Sequence, residues 1–235
     1  MRTTLVVPSL NELDGLKIYM PQIKKEWADQ IIVLDGKSSD GTVSWAKSQG
    51  YEVFEQTQKG MWHAYSELFK SGIVKGDIVI TFSPDGNSLP SAIPLLTAMI
   101  EYGYDMVIAS RYLWDAKSTD DTLFTGFGNR LLTGIVNLRS HFRYTDSLVM
   151  FRAYRTEIIE QLALTESPNW LQQKLIKMSG LYSYEPSLAI RAGRSRLKVA
   201  EIPASEPKAI RPRRQSIWVH GTMILTQIIH EEFIR

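Results

Sequence analysis

The chain has 235 residues, of which 44% are hydrophobic and 22% are charged, a composition typical of a soluble globular protein with one large or two small domains. It contains no cysteine, which excludes disulfides, thiolate metal sites and cysteine nucleophiles and fits a reducing compartment. The net charge is +2, so no overall field attracts acidic partners, although basic residues cluster at 191–198 and 208–214. No apolar run approaches 18 residues and no signal peptide is visible, so we expect no membrane-spanning helix.

The first half of the sequence alternates strand patterns with helix patterns. Pro8 is expected to stop the first strand, Asn11 to cap the following helix, and Pro90 to lie in the first turn of a later helix. Strands are predicted at 5–7, 30–34, 51–54, 77–82 and 105–109, with helices at about 12–26, 41–50, 61–70 and 89–102. Strands separated by helices of this length produce βαβ crossovers, so we predict an α/β fold with a mostly parallel sheet flanked by helices.

This rhythm breaks after residue 111. A polar loop at 115–121 precedes a predicted helix at 124–138, a strand at 147–151, a helix at 154–164 and an extended segment at 201–207. The last segment, 217–234, is an amphipathic helix whose apolar face carries Ile217, Ile224, Leu225 and Ile228. We therefore predict one domain over residues 1–210, followed by a basic loop and a helix over 211–235. That helix can pack on the domain, pair two copies of the chain, or contact a membrane.

A buried strand leads directly into the most informative turn of the chain, Ser83-Pro-Asp85-Gly-Asn87. In an open α/β sheet, ligands bind beyond the carboxyl ends of the strands. A carboxylate at that position, with oxygen-bearing side chains two residues on either side, suits Mg²⁺ or Mn²⁺. An ordinary Asx-turn is the competing interpretation.

Six further motifs occur in order along the chain. They are Val7-Pro-Ser-Leu-Asn11-Glu12, Ile32-Val-Leu-Asp35-Gly-Lys-Ser-Ser-Asp40-Gly-Thr42, Ile108-Ala-Ser-Arg111-Tyr112, Asn129-Arg130, Thr145-Asp146 through Phe151-Arg152-Ala-Tyr154, and Val199-Ala-Glu201-Ile-Pro203. Together with the Asp85 turn, they resemble the motifs of family 2 inverting glycosyltransferases with the GT-A fold. Among these enzymes the chain is most similar to dolichyl-phosphate and polyprenyl-phosphate mannosyl- and glucosyltransferases. The resemblance covers roughly residues 3–203.

The resemblance assigns expected roles to individual residues. A nucleotide sugar is expected to contact Pro8, Asn11, Glu12, Asp35, Lys59, Ser83 and Asp85, and a metal ion to contact Ser83, Asp85 and Asn87. The expected catalytic residues are Asp85, Arg111, Arg130 and Asp146. The acceptor or its phosphate is expected to contact Arg111, Arg130, Arg139, Arg152, Arg211, Arg213 and Arg214.

Five positions depart from the family pattern, one of which is Lys37, where glycine is common. Ser83 stands where the family has the first acid of its D-x-D motif, and Asn87 stands where it has glutamine. A hydroxyl brings no charge to a metal ion, so we expect weak metal affinity in the absence of substrate. Leu34 replaces one of two acids in the nucleotide loop, and Met150 replaces a glycine.

The surplus of arginines favours a phosphate acceptor over solvated surface charge. A hydroxyl acceptor needs a general base, for which Asp146 is the best candidate, whereas a phosphate is already ionised. In the phosphate-acceptor interpretation, Asp146 would orient an arginine or touch the sugar. Basic clusters without interleaved aromatic residues make nucleic acid an unexpected partner.

Three functional hypotheses follow. The first is transfer of a hexose from a UDP- or GDP-sugar to a polyprenyl phosphate, with inversion, by a cytoplasmic protein that contacts the inner face of the membrane. The second is transfer to a saccharide or protein hydroxyl in glycan or polysaccharide assembly. The third is a degenerate module that binds a nucleotide sugar without catalysis. A homodimer is compatible with each.

Overall fold

The computed structural model describes residues 1–179, 182–210 and 217–231. Its strands are β1 (Thr3–Ser9), β2 (Gln30–Asp35), β3 (Glu52–Glu55), β4 (Ile78–Thr81), β5 (Met106–Ser110), β6 (Arg152–Arg155) and β7 (Val199–Pro203). Its α-helices are α1 (Leu13–Tyr19), α2 (Thr42–Ser48), α3 (Met61–Lys70), α4 (Ile93–Glu101), α5 (Leu123–Val136), α6 (Ile158–Gln161), α7 (Trp170–Ser179), α8 (Tyr184–Arg194) and α9 (Ile217–Ile229).

The described strands form one sheet in the order β3-β2-β1-β4-β6-β5-β7. Strand β6 runs antiparallel to both of its neighbours, and every other neighbouring pair is parallel. The carboxyl ends of β1, β2, β3, β4, β5 and β7 therefore lie at the same edge of the sheet. This arrangement confirms the predicted α/β fold with a mostly parallel sheet flanked by helices.

Helices cover both faces of the sheet. Successive strand residues point to opposite sides, so each strand contributes apolar side chains to two cores. In β4, Val79 belongs to one core, whereas Ile78 and Ile80 belong to the other. The first core includes buried residues of α3, α5, α8 and α9, and the second includes buried residues of α1 and α4. The loops at the carboxyl edge are thus anchored by a sheet that is packed on both sides.

The last helix, α9, packs on the domain through the face that its sequence pattern indicates. Ile224 and Ile228 are buried in the first core, and α9 contacts both α5 and α8. The side chain of Ile217 lies outside the described part of the structure. Across residues 1–179, 182–210 and 217–231, no helix has the length and apolar character needed to cross a bilayer.

The first strand and the first helix differ from the sequence prediction. Strand β1 continues through Pro8 to Ser9, which pairs with the last residue of β2, so the proline does not stop the strand. The predicted helix at 12–26 is divided into α1 and two short 3₁₀ turns at Met20–Gln22 and Lys25–Trp27. Pro21 explains the division, because proline removes a backbone donor from a helix interior.

The predicted strand at 147–151 was wrong, since β6 begins at Arg152. Tyr154, expected at the start of a helix, pairs with Val79 of β4 and with Met106 of β5. Helices α7 and α8 were not predicted from the sequence.

Candidate active site

The motifs identified in the sequence meet at the carboxyl edge of the sheet. The loops after β1, β2 and β4 form one half of this edge, and the loops after β5 and β7 form the other. Strand β6 begins at the same edge because it is antiparallel, and the segment that leads into it carries Asp146 beside the loop after β5.

The loops after β1 and β2 are hydrogen-bonded to each other. Asn11 lies in the left-handed region with φ of 54°. Its side-chain Oδ1 accepts a hydrogen bond from the Ser39 amide at 2.7 Å, and its backbone N–H donates to the Ser38 hydroxyl at 2.8 Å. The Glu12 amide donates to Thr42 at 3.1 Å. These bonds hold the two loops together as one wall of the edge, with Pro8 buried in β1 behind them.

Asp35 ends β2 and is fully buried. Its Oδ2 accepts hydrogen bonds from the amides of Lys37 and Ser38 at 2.8 and 2.9 Å. Its Oδ1 is buried without a hydrogen-bond partner in the structure. A buried acceptor without a partner is costly, so this oxygen suits the ring N–H of a bound base.

The turn after β4 presents the predicted metal-binding residues. The Asn87 amide donates to Oδ1 of Asp85 at 3.1 Å, and Gly86 has a φ of 102°. Burial raises the pKa of Asp85, hydrogen bonds from the Asn87 amide and the Ser83 hydroxyl oppose that rise, and the negative charge of Asp120 adds to it. At the Asp85 carboxylate, burial and the Asp120 charge thus outweigh the hydrogen bonds that lower its pKa.

The donor set of this turn fits a hard divalent cation. Oδ1 of Asn87 is buried without a hydrogen-bond partner, in the same turn as the Asp85 carboxylate and the Ser83 hydroxyl that bonds to it. All three donors are oxygen atoms, as Mg²⁺ and Mn²⁺ prefer. Among the described residues, no group of three or more histidines, cysteines or acids has a metal-binding arrangement. Phosphate oxygens of a substrate and water molecules would complete the coordination.

Two close contacts hold the Asp85 turn in place. A Cβ atom on Gly15 of α1 would lie 2.0 Å from the Pro84 carbonyl oxygen, so only glycine permits this approach. On the other side, the Ile210 amide donates to the Asp85 carbonyl oxygen at 2.9 Å. The segment after β7 thus crosses over the turn.

Arg111 and Asp146 form a buried ion pair across the site. Arg111 Nε donates to Oδ2 of Asp146 at 2.6 Å, and Nη2 donates to Oδ1 at 2.9 Å. Asp146 is fully buried and Arg111 is nearly so. Burial by itself lowers the pKa of Arg111, but attraction by Asp146 and Glu206 outweighs it, and the net pKa is raised. The arginine is therefore a permanent cation at the end of β5.

Two glutamates of the β7 region hold this pair. The Glu201 carboxylate accepts hydrogen bonds from the backbone N–H groups of Thr145 and Asp146 at 2.9–3.0 Å. These bonds hold the segment that carries Asp146 in place. Glu206 lies 3.5 Å from Nη1 of Arg111 and accepts a hydrogen bond from Ser118. Burial raises the pKa of both glutamates, against the lowering effect of their hydrogen bonds and, for Glu206, of Arg111.

A cavity of about 300 Å³ opens between this pair and α5. Three cationic side chains line it, Arg111, Lys117 and Arg130. The guanidinium carbons of Arg111 and Arg130 lie 5.1 and 4.7 Å from the ring centre of Tyr112, within the range of cation–π interactions. The Tyr112 hydroxyl donates to Asp121 and accepts a bond from Asn129 at 3.0 Å. The ring thus holds two arginines beside one cavity.

The remaining predicted residues lie elsewhere. Lys59 lines a separate cavity of about 880 Å³ between α3 and α7, with His63, Lys70 and Lys177. Arg139 is exposed and follows the carboxyl end of α5. Arg211, Arg213 and Arg214 fall outside the described residues.

Arg152 does not fit its predicted contact with an acceptor. Its side chain is fully buried and donates to the carbonyl oxygens of Val149, Ser147 and Glu185. Its guanidinium therefore stabilises the bend before β6 and does not face the cavity.

Sequence reasoning missed Lys117, Tyr112, Glu201 and Glu206 as site residues. Tyr112 and Glu201 belong to motifs that were recognised, but neither was assigned a role. The available signal was their position, since Tyr112 follows β5 and Glu201 lies in β7. Both strands end at the sheet edge where ligands bind in such folds.

Comparisons with known proteins relate the chain to one protein family. The family model described as Glycosyl transferase family 2 matches residues 4–163. An undecaprenyl-phosphate mannosyltransferase from Micrococcus luteus is 25% identical over 218 residues, covering 86% of this chain and 82% of that protein. A polyprenol monophosphomannose synthase from Mycolicibacterium smegmatis is 24% identical and covers 86% and 76%.

The fold also matches solved structures. Glucosyl-3-phosphoglycerate synthase from Mycobacterium tuberculosis, in complex with phosphoglyceric acid, superimposes with a TM-score of 0.69 at 17% identity. The match covers 98% of this chain and 79% of that chain. It confirms the predicted GT-A fold.

Proposed function

Because the chain belongs to glycosyl transferase family 2, we propose that it transfers a hexose from a nucleotide-diphosphate sugar to a polyprenyl phosphate, with inversion. The names of the relatives from M. luteus and M. smegmatis support a polyprenyl phosphate acceptor. The observation that carries the proposal is the cavity beside the Arg111–Asp146 pair, which is lined by three cationic side chains and one carboxylate, Asp121.

The donor half of the proposed site lies along β1, β2 and β4. The loops after β1 and β2 take the nucleotide, with the buried Oδ1 of Asp35 available to a ring N–H. Asp85, Asn87 and Ser83 would hold Mg²⁺ or Mn²⁺, which neutralises charge on the leaving diphosphate when bound. A complex of glucosyl-3-phosphoglycerate synthase that contains Mn²⁺ and UDP supports this assignment.

The acceptor half lies around the cavity. Arg130 suits a phosphate monoester, since a guanidinium group binds phosphate through paired hydrogen bonds, and Arg111 and Lys117 add positive charge beside it. Both oxygens of Asp146 are bound by Arg111, so this carboxylate orients the arginine and is not placed to remove a proton. A phosphate nucleophile is ionised at neutral pH and needs no general base, which favours it over a hydroxyl.

The chemistry required of the protein is then positioning and charge stabilisation. Arg111 and Arg130 orient the acceptor phosphate toward the anomeric carbon, and Tyr112 holds the two guanidinium groups at that spacing. The phosphate oxygen attacks the anomeric carbon as the bond to the nucleoside diphosphate breaks. One displacement inverts the anomeric configuration.

The first experiment is transfer from a panel of UDP- and GDP-sugars, with Mg²⁺ or Mn²⁺, to a short polyprenyl phosphate. The matching polyprenol, which differs only by the phosphate, is the control acceptor. We expect nucleoside diphosphate release from one donor, dependent on the lipid phosphate. Equal transfer to the polyprenol or to a sugar would indicate a hydroxyl acceptor. Tight donor binding without transfer to any acceptor would indicate a degenerate binding module.

A pair of arginine variants tests the cavity itself. Arg130→Ala should raise KM for the polyprenyl phosphate about 10- to 100-fold, because a charge-assisted contact to phosphate is lost. Arg139→Ala is the matched control, since Arg139 is exposed beyond the end of the same helix and does not line the cavity. An equal effect of the two variants would contradict the assignment of the cavity.

A further inference from the structure

The outer face of α5 is apolar where a surface helix is normally polar. Phe124, Phe127, Leu131 and Leu138 follow one another at spacings of three, four and seven residues, which places them on one side of the helix and its extension. Their exposed fractions are 78%, 68%, 54% and 72%. The opposite side of α5 is packed in the first core through Leu132 and Val136. The exposed stripe is therefore additional to the face that holds α5 on the domain.

Cationic groups lie beside this stripe. Arg130 follows Phe127 by about 4.5 Å along the helix axis and lines the acceptor cavity together with Lys117. Leu123, at the start of α5, lines the same cavity. Trp114 is 80% exposed and belongs to the loop whose Ala116 and Lys117 form the cavity wall. Leu123 thus lines the cavity together with the cations, and an exposed tryptophan belongs to the loop at its wall.

We propose that the α5 stripe (Phe124, Phe127, Leu131 and Leu138) docks on the interfacial region of an anionic lipid bilayer. A helix with an apolar outer side and neighbouring cations is the arrangement of interfacial membrane-binding helices. The cations match anionic headgroups, and an exposed tryptophan beside them suits the headgroup level. The inference rests on the proposed function in one respect, since a polyprenyl phosphate acceptor presents its phosphate at that level.

This surface differs from the one indicated by the sequence. The apolar face of α9 is packed on the domain through Ile224 and Ile228, so it is not available to lipid. The α5 stripe is exposed and continuous with the cavity. Docking through α5 would bring the mouth of the cavity to the headgroups, where a lipid phosphate enters without leaving the bilayer.

Vesicle flotation with the full chain tests the proposal. The vesicles contain phosphatidylcholine alone, or about 30% phosphatidylglycerol in phosphatidylcholine, and no polyprenyl phosphate. We expect binding to the anionic vesicles that weakens with salt. Phe124→Gln combined with Phe127→Gln should lower the partition coefficient about tenfold or more, because two large side chains lose apolar burial.

The matched control is Leu95→Gln combined with Tyr102→Gln. These exposed side chains belong to α4 and its end, on the other face of the sheet, and should have no effect on binding. Equal loss of binding in both double variants, equal binding of the α5 variant and the wild type, or no binding of the wild type would each overturn the proposal. A wild-type dimer that the α5 variant converts to monomer, without vesicle binding by either, would assign the stripe to self-association instead.

A transfer assay separates this inference from the proposed function. With a short polyprenyl phosphate in solution, the α5 double variant should retain wild-type activity, whereas transfer to an acceptor embedded in vesicles should fall about tenfold or more. Vesicle binding without any transfer would support docking and reject the acceptor. Transfer to the soluble acceptor by a wild type that does not bind vesicles would reject docking alone.

A labelling experiment keeps the test valid if the double variant folds poorly. The chain has no native cysteine, so Leu131→Cys can carry a single polarity-sensitive fluorophore. The emission should shift to the blue when anionic vesicles are added, and the same label at Leu95→Cys should not respond. An unchanged spectrum at position 131 would contradict docking.

Discussion

Two buried arginines form the same paired contact with a carboxylate, one at the sheet edge and one between helices. Arg111 binds Asp146 at 2.6 and 2.9 Å, and Arg191 of α8 binds Glu231 at 2.9 and 2.7 Å. Each guanidinium also lies near an aromatic ring, Tyr112 for the first and Trp62 for the second. The two pairs are nearly identical as local geometry.

The surroundings of the two pairs separate their roles. Nη1 of Arg191 donates to the carbonyl oxygens of residues 162 and 163 at 3.0 and 2.9 Å, and Glu231 also accepts bonds from Tyr182 and Ser187. Burial opposes the charge of Glu231, but these bonds and Arg191 outweigh it and lower its pKa. By contrast, Nη1 of Arg111 lies 3.5 Å from Glu206, and the side chain lines a cavity that contains further cations. The Arg191–Glu231 pair, whose polar atoms bond to other protein groups, holds the end of α9 against α8. The Arg111–Asp146 pair lies beside a cavity, so Arg111 can contribute to binding a ligand.

The largest expected effect comes from breaking the pair at the sheet edge. Arg111→Leu should reduce transfer about 100-fold or more, and it should lower the free energy of unfolding by about 3–5 kcal/mol because Asp146 stays buried without its partner. Arg111→Leu combined with Asp146→Leu should recover most of that stability and none of the activity. Urea unfolding and nucleoside diphosphate release measure the two effects. Recovery of activity in the double variant would show that Arg111 acts only through stability.

Breaking the pair between helices should give the same loss of stability without the loss of function. Arg191→Leu leaves Glu231 buried and unpaired, so we expect about 3–5 kcal/mol of destabilisation. Activity per folded molecule should stay within about twofold of wild type, and Arg191→Leu combined with Glu231→Leu should restore stability. Transfer measured at a temperature where the variant is folded checks the first point. A large drop in kcat there would remove the contrast between the two regions.

The acid at the Asp85 turn gives a smaller effect that depends on pH. Because its pKa is raised, Asp85 binds a proton more readily than an ordinary aspartate, and a metal ion must displace that proton. Stabilisation by Mn²⁺ with a nucleoside diphosphate should therefore increase as pH rises through the raised pKa and level off above it. Below that pKa, affinity should fall about tenfold per pH unit. The measurement is the rise in melting temperature on adding Mn²⁺ and the nucleoside diphosphate, at a series of pH values from acid to neutral, with Asp85→Asn as control. Equal pH dependence in Asp85→Asn would assign the proton to another group.

The smallest expected effect concerns the ring that holds Arg111 and Arg130. Tyr112→Phe keeps the ring and removes the hydroxyl bonded to Asp121 and Asn129, so it should cost about 1 kcal/mol of stability. KM for the acceptor should change less than about threefold. Tyr112→Leu also removes the cation–π contacts and should raise KM further. Identical KM values for the two variants would show that the ring does not position the arginines.

The sequence predicts the fold best where local pattern and tertiary environment agree. The apolar run at 78–80 gives β4, and the Asp85 turn directly after it lies at the functional edge as expected. Strand β6 escaped prediction because Arg-Ala-Tyr-Arg has no apolar run. Its arginine at 152 is buried because the carbonyl oxygens of two nearby residues, Val149 and Ser147, and of the distant Glu185 accept its hydrogen bonds.

The site was predictable in its residues more than in their pairing. Arg111 and Asp146 were both identified, but two roles for Asp146 stayed open, because a contact across 35 residues has no local signature. The exposed stripe of α5 was also invisible in advance, since apolar spacing on a helix normally marks the buried side. Only the packing of Leu132 and Val136 shows that a second apolar side remains exposed.

The position of β6 in the sheet has a consequence for synthesis on the ribosome. Strands β1 to β4 can pair as soon as they emerge, but β4 and β5 are joined only through β6, which is made about 40 residues after β5. During that interval, β4 and β5 are apolar strands with unpaired backbone edges, which can pair with other nascent chains. Premature termination before residue 152 should therefore yield insoluble fragments, whereas a pause after β6 covers the free edge of β4 and leaves one edge of β5 to pair later with β7.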